Sequence, residues 1–257
     1  MAGNRDVRDA PGDARDAPGL RAPRAGRTIG LLGGSFNPAH RAHRRISLHA
    51  LRALGLDEVW WLVSPGNVLK PVEGMAALGT RYASARRAAR TSRIRVTAIE
   101  AEIGTRYTAD TLARLQRRYP KFRFVWLMGA DNLEQFHRWR DWRTIARLMP
   151  IAVVARPGYT ASAMASPAMA WLHRWRRRDR QDKSGARRSA PALIQLRFDP
   201  DPLSATAIRA ADPGWFDRVP ARIQRDMVTH RPVQQAPAQP PRFRSLRRPF
   251  DGSGGRS

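Results

Sequence analysis

Short apolar runs alternate along the middle of the chain with stretches in which apolar residues recur every three or four positions. Runs rich in Val, Ile, Leu and Trp fall at residues 28–32, 59–64, 94–99, 123–128, 151–155 and 194–198, each bounded by Gly, Pro or polar clusters. Helical spacing covers 38–54, 81–91, 109–118 and 142–149. Continuous apolar strands alternating with helices predict an α/β fold, an open parallel sheet with helices on both faces. Such sheets bind ligands at the carboxyl ends of their strands, near the point where the strand order reverses. The turns after Leu32, Ser64, Ile99, Met128 and Ala155 are therefore the places to search.

Three segments fall outside this alternation. Residues 1–26 are short polar repeats and predict a disordered leader, and 232–257, rich in Pro, Gln, Arg and Gly, predict a disordered basic tail. A third polar stretch, 159–191, contains WRRRDRQDKSGARR and reads as a basic surface insertion with one short helix at about 169–178. The body, 27–231 with that insertion within it, is of single-domain size. At 42% hydrophobic residues the chain as a whole can build a core.

Charge and cysteine content narrow the classes. Lys and Arg number 47 against 21 Asp and Glu, a formal net charge of +26, much of it in the three polar segments. That balance makes contact with polyanions a second hypothesis, supported by the tryptophans among arginines at 171–180. No nucleic-acid-binding motif accompanies it, so a nucleic-acid partner is not expected. The absence of cysteine excludes disulfides, thiolate zinc sites and a cysteine nucleophile. No apolar run approaches the ~18 residues of a membrane span, and the N-terminus lacks a signal-peptide apolar stretch. A cytoplasmic protein with no membrane partner is the expectation.

The first strand-to-helix turn carries the strongest chemical signal, GLLGGSFNPAHRAH over residues 30–43. Gly33 and Gly34 end a buried strand, where they permit a tight turn with backbone N–H groups open to phosphate. Asn37 suits a helix cap and Pro38 the first helical position, which puts His40 and His43 at i and i+3 on one helix face. Helix end, N–H groups and two imidazoles converge on an anion site whose natural guest is polyphosphate. Each part alone is ordinary; Gly-Gly after a strand is common, and histidines three apart are usually solvated. The turn is not a Walker A loop, having no GK[ST], nor a dinucleotide fingerprint, lacking the third Gly. No third histidine or acidic cluster accompanies the pair, so no metal site is expected there.

This stretch resembles the (S/T)FxPxHxGH signature of the nucleotidyltransferase α/β phosphodiesterase superfamily, with Ala42 at the usual Gly and Asn37 at a common Asp. The resemblance implies a Rossmann-like open sheet and ATP contacts from Gly33, Gly34, Ser35, Phe36 and Asn37. LSATAIR (203–209) resembles the superfamily's ISSTxxR element, implying that Ser204 and Thr206 hold phosphate oxygens and Arg209 supplies a charged fork; the plain alternative is a helix cap. GADNLEQFHRWRDW (129–142) is similar to the GxDxxxxFxxW segment of bacterial nicotinate mononucleotide adenylyltransferases. It implies Asp131 on the nucleotide, Trp139 stacked on a pyridine ring and Arg140 at the mononucleotide. RYTADTL (106–112) resembles that family's (S/T)YTxxTL, implying that backbone near Thr108 receives the nicotinate carboxylate. SPGNVLKP and ARPGY resemble further family loops and add Asn67, Lys70 and Arg156.

What the resemblance implies is transfer of AMP from ATP to nicotinate mononucleotide, giving deamido-NAD and pyrophosphate. His40, His43 and Arg209 would face the phosphates, with Mg²⁺ carried by the ATP phosphate oxygens. A sister enzyme acting on nicotinamide mononucleotide, or on phosphopantetheine, is the nearest alternative. The Thr108 and Trp139 segments argue against the latter.

Overall fold

Every apolar run becomes a strand. The computed structural model describes residues 26–66, 74–91, 93–154, 160–177, 189–198 and 204–218. Its strands are β1 (Thr28–Gly34), β2 (Glu58–Val63), β3 (Ile94–Thr97), β4 (Arg123–Gly129), β5 (Ile151–Val154), β6 (Arg176–Arg177) and β7 (Leu193–Leu196). They form one sheet in the order β3-β2-β1-β4-β5-β7-β6, with every pair parallel. β1 lies between β2, in register from Ile29↔Glu58 to Gly34↔Val63, and β4, from Thr28↔Arg123 to Leu32↔Leu127. The connection from β1 runs to one side and the later strands add on the other, so the order reverses between β1 and β4. That is where a crevice opens at the carboxyl edge.

The helices are α1 (Arg41–Ala53), α2 (Leu78–Ala89), α3 (Ile99–Glu102), α4 (Thr108–Arg118), α5 (Ala130–Gln135), α6 (Trp142–Leu148), α7 (Thr160–Met164), α8 (Pro167–Leu172) and α9 (Ala205–Ala211). The strand period of two divides the apolar side chains between two cores. Trp61, Val63, Val125 and Leu127 pack with Ile46, Ala50 and Leu51 of α1 and with Tyr82 and Ala85 of α2. On the other face Leu31, Trp60, Trp126 and Met128 pack with Leu112 and Leu115 of α4, Leu133 of α5 and Ile145 of α6. Both faces of the sheet are therefore covered, as the unbroken apolar runs require.

Four expectations are corrected. The first helix starts at Arg41, not Pro38: Asn37-Pro38 forms a turn, and His40, in extended backbone, is the cap residue. The third strand stops at Thr97, and Ile99–Glu102 turns helical, because the Thr97 side chain accepts the Ile99 N–H at 3.1 Å. The stretch expected as a surface insertion is core over its first half. Ala163, Ala168, Met169 and Leu172 are at most 2% exposed, and Arg176–Arg177 adds an edge strand beside β7. Small residues such as Ala and Ser kept the apolar period weak there, while the arginines that follow dominated the composition. Gly26, assigned to the leader, donates its N–H to the Lys121 carbonyl at 3.0 Å and belongs to the fold. The rest of the leader and the 232–257 tail lie outside the described residues.

Candidate active site

The β1–α1 turn is built from beneath. Neither Gly33 nor Gly34 has a positive φ; that conformation falls on Phe36, at 50°. Gly33 is required for another reason: a Cβ there would meet Cη2 of Trp126 at 2.6 Å. Phe36, expected to touch ATP, is 2% exposed, its ring stacked on Trp61 at 5.1 Å and 4.9 Å from the His43 ring. It is a floor for the histidine rather than a surface for the nucleotide. Ala42 is 1% exposed and faces the core, so the methyl that replaces the usual glycine hydrogen is absorbed there.

His40 and His43 lie together, ring centroids 4.0 Å apart. The His40 backbone N–H donates to His43 Nδ1 at 3.2 Å, one half of a capping box. In the neutral ring the proton then sits on Nε2, making that nitrogen a donor suited to phosphate oxygen. One turn further, Ser47 donates to the His43 carbonyl at 2.9 Å and accepts from Trp61 Nε1 at 2.8 Å, both residues fully buried. The β2 tryptophan thereby fixes the helix turn that carries the histidines.

Asn37 was expected to cap the helix and meet ATP. Instead its amide donates to the Gly74 carbonyl at 2.9 Å and its carbonyl oxygen accepts the Ala76 N–H at 3.2 Å, tying the turn to the chain before α2. Its backbone carbonyl receives Arg209 Nη1 at 2.7 Å, and Arg209 Nη2 lies 3.3 Å from the Thr206 hydroxyl. Residues 204–209, remote in sequence, are thus brought to the β1 turn. Ser204 caps α9 by accepting the Ala207 N–H at 3.1 Å, the plain alternative for that hydroxyl.

On the other side of β1, Asp131 enters the first turn of α5 straight after β4, at the reversal point. Trp139 is half-buried, held edge-on by Phe136 at 5.4 Å and Trp126 at 6.3 Å. Arg140 lies over the Tyr107 ring at 4.4 Å, which brings the Trp139 and Thr108 segments together; Thr108 opens α4. Asn67, Lys70 and Arg156 lie outside the described residues.

Two buried groups escaped the sequence. Arg81, 1% exposed, donates to the carbonyls of Ala76, Ser35, Ser64 and Pro65 at 2.7–3.2 Å, pinning the ends of β1 and β2 to α2. Glu100, 8% exposed, has its carboxyl pushed up to about 7 by burial against the opposing hydrogen bonds of Ser64 and Thr111. Helical period alone placed Arg81 in a helix but said nothing of its burial, and Glu100 fell just past the run 94–99 read as strand, in no predicted element.

A parallel sheet with a histidine pair and an arginine gathered at its reversal point defines the nucleotide-transferring α/β class. The chain belongs to the cytidylyltransferase-like family, whose model matches residues 31–211. Within it the chain is most usefully set beside relatives that carry the name probable nicotinate-nucleotide adenylyltransferase. One from Erythrobacter litoralis (strain HTCC2594) is 65% identical over 204 residues, 79% of this chain and 93% of the relative. One from Bradyrhizobium sp. (strain ORS 278) is 52% identical over 187 residues, 73% of this chain and 97% of the relative. The fold matches Plasmodium falciparum nicotinic acid mononucleotide adenylyltransferase complexed with NaAD, at a TM-score of 0.53 and 15% identity, over 72% of this chain and 83% of that one. The same enzyme complexed with APC matches at a TM-score of 0.52 and 14% identity, with the same coverage.

Proposed function

We propose that this chain transfers the adenylyl group of ATP to nicotinate mononucleotide, forming nicotinate adenine dinucleotide (deamido-NAD) and pyrophosphate. A phosphate oxygen of the mononucleotide attacks the α-phosphorus, and the bond from that phosphorus to the bridging oxygen of the β-phosphate breaks. The attacking phosphate is already ionised near neutral pH, so no general base is needed. The protein's task is positioning and charge stabilisation.

The observation that carries this reading is the His40–His43 pair at the end of β1, with Arg209 bonded to the same turn. His43, its Nδ1 occupied by backbone, would donate from Nε2 to the α- and β-phosphates, with His40 beside it. Arg209 would neutralise the departing pyrophosphate, Ser204 and Thr206 lying in the same segment. Gly33, Gly34, Ser35 and Asp131 would line the ATP side, with Phe36 and Asn37 acting from below as supports. Thr108, Trp139 and Arg140, with Asn67, Lys70 and Arg156, would line the mononucleotide side.

A divalent metal ion, which we take to be Mg²⁺, would enter on the nucleotide and add positive charge to its phosphates. Among the described residues no group of three or more His, Cys, Asp or Glu converges to hold such an ion. With His43 Nδ1 engaged by backbone, the histidine pair fits phosphate better than metal. No helix among the described residues is long and apolar enough to cross a membrane; we place the enzyme in the cytoplasm as part of the same proposal. Incubation with ATP, Mg²⁺ and nicotinate mononucleotide should yield the dinucleotide, identified by its mass. Folded protein that gives no dinucleotide would refute the reading.

A further inference from the structure

Two short helices on the face of the sheet opposite α1 carry a cluster of side chains that the transfer chemistry does not use. α6 buries Ile145 and Ala146, and α8 buries Ala168, Met169 and Leu172, all in one apolar core. Seated side by side on that core, the two helices bring their tryptophans together. Trp142 meets Trp171 edge-to-face, ring centroids 5.1 Å apart, and Trp171 meets Trp175 at 4.3 Å. All three rings are half-buried. Arg143 and Arg147, exposed and one helical turn apart on α6, reach over these rings. Arg143 Cζ lies 5.0 Å from the centre of the Trp142 ring and 5.9 Å from that of Trp171, and Arg147 Cζ lies 5.7 Å from Trp171. Arg174, on the turn His173–Trp175, adds contacts of 5.9 Å to Trp171 and 5.1 Å to Trp175. Cation–π contacts occur about once per 70–80 residues in ordinary proteins. Here five of them join six side chains.

The charge of this cluster is not neutralised. None of Arg143, Arg147 and Arg174 pairs with a carboxylate among the described residues, and neither α6 nor the stretch 167–175 contains an acidic residue. Asp141, which precedes α6, lies 3.5 Å from Arg140 instead. The rings hold the guanidinium groups against apolar surface, so less side-chain freedom is lost when an anion arrives. The cluster therefore presents fixed cations beside flat apolar faces. Single-stranded nucleic acid has the matching chemistry: phosphates for the guanidinium groups, and unpaired bases that stack on indole rings or on guanidinium planes. An acidic peptide supplies the anions without the flat faces, and a second copy of this chain would bring the same cations together. No linear binding motif announces the cluster, because Trp142 and Trp171 come from separate helices.

We infer that the Trp142, Trp171 and Trp175 face, with its three arginines, binds single-stranded nucleic acid by base stacking and phosphate contact. Trp175 leads directly into β6, the outermost strand and the third beyond β4, so this end of the surface lies away from the crevice between β1 and β4. The inference does not depend on the adenylyl-transfer reading.

The test measures the fluorescence anisotropy of a labelled oligoadenylate of about 12 nucleotides, in ribo and deoxyribo forms, against the full chain over a series of salt concentrations. The form bound more tightly identifies which nucleic acid the surface takes. Trp175→Leu keeps every charge, and Trp175 packs in neither large core, so the fold is expected to survive. That variant should bind about tenfold more weakly with an unchanged salt slope, the scale of one lost stacking contact. Arg143→Gln/Arg147→Gln/Arg174→Gln should instead flatten the slope of log K against log salt by about 2, the counterion release of three phosphate contacts to a single strand. If circular dichroism shows that the triple variant does not fold, each arginine is replaced singly, and each should lower the slope by about 0.7. Arginines elsewhere in the chain are common to every protein compared and cancel. Wild-type affinity in Trp175→Leu, an unchanged slope in the arginine variants, or no binding by the wild type would each overturn the proposal.

Discussion

Arg81 is the residue on which the geometry of the site leans hardest. It enters α2 in its first turn, 1% exposed, and spreads its guanidinium over four carbonyls: Ala76 at 2.8 Å, Ser35 at 2.8 Å, Ser64 at 2.7 Å and Pro65 at 3.2 Å. Burial lowers its pKa from the ordinary arginine value, so the carbonyls must recover part of that cost. Arg81→Met keeps the bulk and removes every donor. Four charged hydrogen bonds at about 1.5–3 kcal/mol each would sum to far too much, because removing the charge also removes its desolvation penalty. What remains is the cost of leaving buried carbonyls without a donor, about 1–3 kcal/mol each, so a loss of roughly 3–5 kcal/mol is expected here. Against a typical stability of about 5–15 kcal/mol, the variant should be marginal. Arg81→Lys, with a point charge that cannot span carbonyls from three segments, should fall between the two. Urea unfolding followed by circular dichroism measures the loss. At a temperature where the variant stays folded, its KM for ATP should rise, since the Ser35 carbonyl no longer anchors the β1 turn. A midpoint within about 1 kcal/mol of wild type, with an unchanged KM for ATP, would refute this account of Arg81.

Four other outcomes are expected. His43→Ala should lower kcat by ~10²–10³-fold, the usual scale for a lost transition-state donor, in a steady-state pyrophosphate assay. Trp139→Ala should raise the KM for the mononucleotide and leave kcat nearly unchanged, the pattern of lost uniform binding. Gly33→Ala should cost about 1–3 kcal/mol in urea unfolding, because its methyl would sit 2.6 Å from a buried Trp126 ring carbon. Glu100 makes stability depend on pH: its folded carboxyl titrates at about 7 against an ordinary 4.5, so the folded state holds the extra proton between them. Unfolding free energy should therefore fall as pH rises through that window, by at most roughly 3 kcal/mol, and Glu100→Gln should remove that part of the slope.

The strands were legible because each is buried on both faces and therefore continuously apolar. Glycine and histidine at the end of β1 were legible because few turns combine them. Other parts depend on contacts that only the folded chain makes. Gly33 looked like a turn residue, yet its role is set by the ring of Trp126 arriving from β4. Asn37 and Pro38 carry strong helix-start chemistry, but the Asn37 side chain is taken by Gly74 and Ala76, and the helix waits until Arg41. Phe36 follows the family pattern in sequence while packing in the core. Arg81 and Glu100 are charged residues in stretches of ordinary composition, and burial of a charge leaves no local signature. The helices between 160 and 172 were hidden by small residues next to a dense run of arginines.

Pyrophosphate release from ATP and Mg²⁺, measured in parallel with nicotinate mononucleotide, nicotinamide mononucleotide and phosphopantetheine, decides the functional reading. Strong preference for nicotinate mononucleotide is the result expected from the grouping of the Thr108, Trp139 and Arg140 segments. Preference for either other acceptor would keep the phosphate site and discard the ring assignment, and release with none of the three from folded protein would contradict adenylyl transfer itself.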